Sequence, residues 1–168
     1  MIWSSLVFSL LGGIVGAIMM DITDIYAHKL GITSGVKVAH IGRWVLGMGQ
    51  GVYWYQDIDQ ADPLPREVRA GWIFHFVVGG AVVGLGYPLY FLLAGQALPE
   101  HHLLPGLIYG LATSLLPWLI LLPAFGWGLF GLRAPKGAIP LLASTISHIP
   151  YGVGIGMVMN LGLHGRLW

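Results

Sequence analysis

The sequence predicts an all-α polytopic membrane protein with four transmembrane helices and a partly helical first link on the cytoplasmic side. Three observations lead there. Hydrophobic residues make up 56% of the chain and charged residues 9%, against about 25% charged in soluble domains. The apolar residues fall into four blocks, each near the roughly 20 residues that a helix needs to cross a bilayer. Seven of the eight Lys and Arg residues lie on one side of the membrane once those blocks are crossed.

The blocks are residues 2–20, 71–95, 103–127 and 139–163, and none contains Lys, Arg, Asp or Glu. The first lacks a basic leading region and a small-x-small cleavage pattern, so it reads as a retained span rather than a signal peptide. A single domain over 1–168 is expected. The chain has no Cys, which excludes disulfides, thiolate metal sites and cysteine nucleophiles. Lys and Arg are too few for a nucleic-acid surface.

Orientation follows from the cations. Lys29, Lys37, Arg43, Arg66 and Arg69 follow the first span, Arg133 and Lys136 separate spans three and four, and Arg166 alone lies in the tail. The positive-inside bias predicts that links 21–70 and 128–138 face the cytoplasm and both termini lie outside.

Helices in lipid associate by close contact, which favours small residues at crossings. Each span carries a glycine pair at i, i+4: Gly12 and Gly16, Gly80 and Gly84, Gly106 and Gly110, Gly152 and Gly156. With 26 Gly in the chain some pairs arise by chance, but one in every span favours a compact bundle. Pro88, Pro117 and Pro150 lie inside spans, and each removes a backbone donor. For Pro117 the released carbonyl belongs to Thr113, where Thr113 and Ser114 hydroxyls are at hand.

The first link is too rich in aromatic and apolar residues to be a disordered tether. Val38 to Val45 reads as a short amphipathic helix or interfacial segment, and Trp44, Tyr53, Trp54 and Tyr55 suit the headgroup layer. Asp62-Pro63-Leu64-Pro65 is a turn. Arg66 and Arg69 suit lipid phosphate. The link is expected to fold onto the end of the bundle.

Ionisable residues inside spans are costly and mark functional hypotheses. His75 lies about 6 Å into span two and His148 about 12 Å into span four at 1.5 Å per residue. Asp21 ends span one. All three fall in the same half of the membrane, and Ser144, Ser147 and Tyr151 lie one turn from His148. Such a cluster can tie helices together, relay protons, or ligate a metal, haem or a chlorophyll-type pigment. No close His-x-x-His or Glu-x-x-His pair strengthens a metal site, and no cofactor is identified. Asp21, Asp24 and His28 share a face if the first helix continues past the membrane, although such a set is more often a solvated face. His101 and His102 read as an outer wet loop. Gly126-Trp127-Gly128 lacks the Lys-Ser/Thr and the preceding strand of a phosphate loop. No catalytic set can be assigned, so an enzyme is the less favoured reading.

The chain resembles a bacterial family of small four-span inner-membrane proteins known only as a domain of unknown function. The resemblance runs through Met20-Asp21, Leu30-Gly31-Ile32, Ile41-Gly42-Arg43-Trp44, Pro63-Leu64-Pro65-Arg66-Glu67 and Gly71-Trp72-Ile73-Phe74-His75. It continues through Leu104-Pro105, Leu122-Pro123-Ala124-Phe125-Gly126 and Ser147-His148 with Gly152 and Gly154. It implies a bundle in which Asp21, Arg43, Glu67, His75 and His148 recur, with Arg43 and Glu67 coupled from the link. It implies no activity. The family usually carries a basic residue and a His around Val52 to Tyr55, where this chain reads Val-Tyr-Trp-Tyr. The expected function is that of a structural or accessory subunit in a larger membrane complex. Membrane lipids and either a protein partner or a second copy are the expected partners. An oligomeric transporter or channel component for protons or small ions, and a His-ligated cofactor protein, are the alternatives.

Overall fold

The computed structural model describes residues 2–31, 36–135, 137 and 139–166. Ile32 and Lys136 lie outside the described residues. Among the described residues there is no strand, and four helices are long and apolar enough to cross a membrane. They are α1 (Ile2–Lys29), α3 (Glu67–Leu93), α4 (Leu103–Ala124) and α5 (Ile139–His164). The shorter α2 (Val38–Met48) lies in the first link.

The helix bounds differ from the apolar blocks most at α1, which continues nine residues past Met20. Asp21 and Asp24 end a hydropathy run but do not interrupt backbone hydrogen bonding, so the helix carries its acidic face onward. Residues 125–127, read as the end of the third span, turn instead into the link between spans three and four, because Gly126 adopts a positive φ of 86° that ends the helix.

The spans pack in the order α3, α1, α5, α4. Glycines at each crossing let the backbones touch. A methyl group on Gly13 would run into the Gly80 carbonyl, and one on Gly16 into the Tyr151 carbonyl. Gly12 lies against Ile155, and Gly84 against Ser9 and Gly13. Gly106 and Gly110 interlock with Gly152 and Gly156, where a methyl on any of the four would strike the facing backbone. Gly13, Gly154 and Gly162 also lie at crossings, although they stand outside the i, i+4 pairs.

Two spans depart from α-helical winding. Residues His75–Val82 of α3 and Pro117–Leu121 of α4 form π-helical turns. In α4 the departure starts at a proline, which cannot donate to the ladder. Thr113 donates its hydroxyl to the Gly110 carbonyl at 2.6 Å.

The two links on one end of the bundle fold together. Ile58, Leu122, Phe125, Trp127 and Ala134 form a buried cluster, with Ile41, Trp44 and Tyr55 packed against it. The backbone N–H groups of Tyr55 and Ile58 donate to the carbonyls of Ala124 and Phe125 at 2.8 and 3.0 Å. This end is called the link end below, and the opposite one the far end. At the far end α3 meets α4, where the Tyr109 hydroxyl donates to the Val83 carbonyl and the Tyr87 and Tyr109 rings make edge contact.

Candidate functional site

Between α3 and α4, toward the link end, the spans enclose a cavity of about 950 Å³. All four spans and α2 contribute walls. Val78, Val83, Leu116, Ile120 and Leu121 make much of it apolar. Trp72, Leu116 and Ile120 line it yet remain 42%, 43% and 47% exposed. The gap between α3 and α4 is therefore open on a flank that lipid would face.

Polar groups collect in the link half of this cavity. Because α1 runs unbroken to Lys29, Asp21, Asp24 and His28 stack on one face and all three line the cavity. Ser144, Ser147, His148 and Tyr151 do the same on α5. His75 Nε2 lies 3.0 Å from Asp21 Oδ1. The two atoms are in close contact, but Nε2 makes no directed hydrogen bond. Ser147 donates its hydroxyl to Asp24 Oδ1 across α5 and α1, and its oxygen also lies 2.8 Å from the Ala143 carbonyl.

His148 Nδ1 is 2.6 Å from the Ser144 carbonyl. A carbonyl only accepts, so Nδ1 carries the proton. The neutral ring then presents Nε2 as an acceptor. Tyr151 packs its ring 6.0 Å from that of His148 and donates its hydroxyl to α3 carbonyls, at 2.9 Å to Gly79 and 3.1 Å to Gly80. Among the described residues no three His, Asp or Glu side chains are placed to hold a metal ion.

Arg43 and Glu67 do not line the cavity. They build the link that closes its end. Arg43 Nε and Nη2 donate to Glu67 Oε2 and Oε1 at 2.8 and 2.9 Å, and Nη1 donates to the carbonyls of Ile58 and Ala61 at 2.7 Å each. This fork satisfies a guanidinium that is otherwise buried. The Glu67 hydrogen bonds push the Arg43 guanidinium further up its already high range. Gly42 and Gly71 allow α2 to touch α3, because a methyl on either would meet the Glu67 or Val38 carbonyl. Trp44 and Tyr55 serve the link as well, donating to the carbonyls of Tyr53 and Arg43. Tyr53 and Trp54 stay exposed.

Three residues have roles that their sequence context hid. His40 is buried against the edges of Phe125 and Trp127, with Nε2 3.2 Å from Asp59. Burial pushes its imidazole below the ordinary His range. Asp24 is tied to Ser147 although 123 positions apart. Its i, i+3 spacing from Asp21 was the available signal.

His102 corrects the wet-loop reading. It is 0% exposed, its Nδ1 shares a 2.8 Å hydrogen bond with the Tyr87 hydroxyl, and its backbone N–H donates to Asn160 Oδ1 at 2.7 Å. Its ring stacks on His164. Burial, with the nearby His164 and His101, lowers its imidazole to about 4. The far-end loop folds inward because the first N–H groups of α4 need acceptors. His101 stays exposed.

Residues 10–161 match the family described as Protein of unknown function (DUF2938), and the chain belongs to that family. No curated protein and no solved structure shows a significant match to the chain.

Proposed function

We propose that this multi-pass membrane protein binds an amphiphilic molecule drawn from the membrane. Its apolar part would lie between α3 and α4, and its polar head at Asp21, Asp24, His75 and His148. One observation carries this reading: a cavity of about 950 Å³ that opens on a lipid-facing flank and ends on ionisable groups from three spans. Small-molecule pockets run to roughly 300–1,000 Å³ and combine apolar walls with a few placed polar groups.

Gly79 supplies the test. It lines the cavity, and a methyl added there would meet nothing within 4 Å. A side chain introduced by Gly79→Leu therefore starts in open space on the cleft wall. Native mass spectrometry on protein purified in mild detergent should find a bound amphiphile in the wild type and none in Gly79→Leu, with thermal midpoints unchanged. Equal retention by both would overturn the reading.

A second reading is an accessory subunit whose open flank receives a partner's transmembrane helix. The exposure of Trp72, Leu116 and Ile120 beside the gap favours it. Isolation from native membrane as a monomer without partners would count against it. In either reading the charge bias supports both links in the cytoplasm and both termini outside, and the bacterial inner-membrane setting rests on the family resemblance alone.

A further inference from the structure

We infer that the head group taken by the cleft is a cation of the ammonium class; this rests on the reading of the cleft as an amphiphile site. Asp24 is open to the cavity and, among the described residues, has no cationic partner; its hydrogen bond comes from the neutral Ser147 hydroxyl. Asp21 already faces His75. Lys29 lines the cavity, but its ammonium lies 5.2 Å over the Tyr26 ring. The two carboxylates on this wall thus face imidazoles, His28 and His75, and no lysine or arginine forms a salt bridge with Asp24 among the described residues.

The uncharged groups select in the same direction. His148 has committed its one proton to the Ser144 carbonyl, so Nε2 is an acceptor. The Ser144 hydroxyl on the same wall is buried without a partner. A carboxylate or phosphate head would meet the Asp24 carboxylate and an imidazole lone pair, so that like charge and acceptor would both oppose it. A hydroxyl head would satisfy the imidazole but leave the carboxylate uncompensated. An ammonium head offsets the charge and suits the acceptors, and its alkyl chain suits the apolar wall.

Three probes of equal chain length separate the terms: dodecylammonium, dodecanol and dodecanoate. Their binding to the intact protein in phosphatidylcholine nanodiscs is read by tryptophan fluorescence. The ammonium, protonated at neutral pH and a hydrogen-bond donor, should bind at least about tenfold more tightly than dodecanol, a difference of roughly 1.4 kcal/mol, and dodecanoate should bind most weakly. Asp24→Asn should remove the tenfold preference and leave dodecanol binding unchanged. The wild-type ranking needs no variant, so it decides the matter even if Asp24→Asn does not fold. If all three probes bind alike and Gly79→Leu abolishes them all, the cation inference falls and the cleft stands. If Gly79→Leu leaves ammonium binding intact, the cleft reading falls with it. If Asp24→Asn retains the preference, Asp24 is not the recognising group and the inference falls.

Discussion

The Tyr151 hydroxyl of α5 donates to the Gly79 carbonyl of α3 at 2.9 Å, across a chain separation of 72 residues. It reaches that carbonyl inside the π-helical stretch His75–Val82, where Gly79 and Gly80 leave the backbone uncovered. The wide turn and the hydroxyl belong together: the tyrosine supplies a donor where the helix departs from α winding, and π-turns recur at functional sites. Tyr151→Phe should lower stability by about 1 kcal/mol, the usual net worth of such a bond. It should also raise amide hydrogen exchange over residues 75–82. Unchanged exchange there would separate the π-turn from the tyrosine.

The link end depends on contact between backbones. Gly42→Ala should push α2 off α3, because its methyl has no room against the Glu67 carbonyl, and overpacking costs about 1–3 kcal/mol. Limited proteolysis in the turn around Asp62 should then speed up. Gly79→Ala, which meets nothing, is the matched control and should cleave like the wild type.

The far end should sense acid. His102 holds its imidazole at about 4, below the ordinary 6.5. Between those values the unfolded chain binds a proton that the folded one does not, so stability falls as pH drops from 6.5 toward 4. The slope attributable to this group approaches about 1.4 kcal/mol per pH unit. Thermal unfolding in detergent should show a shallower acid slope for His102→Gln than for the wild type. Parallel slopes would mean that the buried imidazole is not what titrates.

Orientation can be read chemically because the natural chain has no thiol. Asp62→Cys in the first link and Gln96→Cys in the far-end loop each create the sole cysteine, and both positions are exposed. In intact cells an impermeant maleimide should label Gln96→Cys and spare Asp62→Cys. The reverse pattern would place the polar end of the cleft on the outer side.

Much of this was legible because the signals are local. The crossings follow from apolar runs, since a bilayer tests roughly 20 residues at a time. The folded link shows in its aromatic content. Asp21 and His75 stand out as ionisable residues at span ends. Asp24 was legible only if α1 was taken to continue, and the backbone, not hydropathy, decides that. His102 was illegible, because the residue that receives its N–H, Asn160, lies 58 positions away.

The sequence by itself determined a four-span membrane protein and a strong charge bias between its ends, because transfer of side chains into lipid is a residue-by-residue cost. The tertiary structure alone decided which spans touch, that α3 and α4 part toward the link end, and which nitrogen of His148 is free. Those outcomes depend on which glycine faces meet and which carbonyl lies within reach of each donor, and both are set by neighbours distant along the chain.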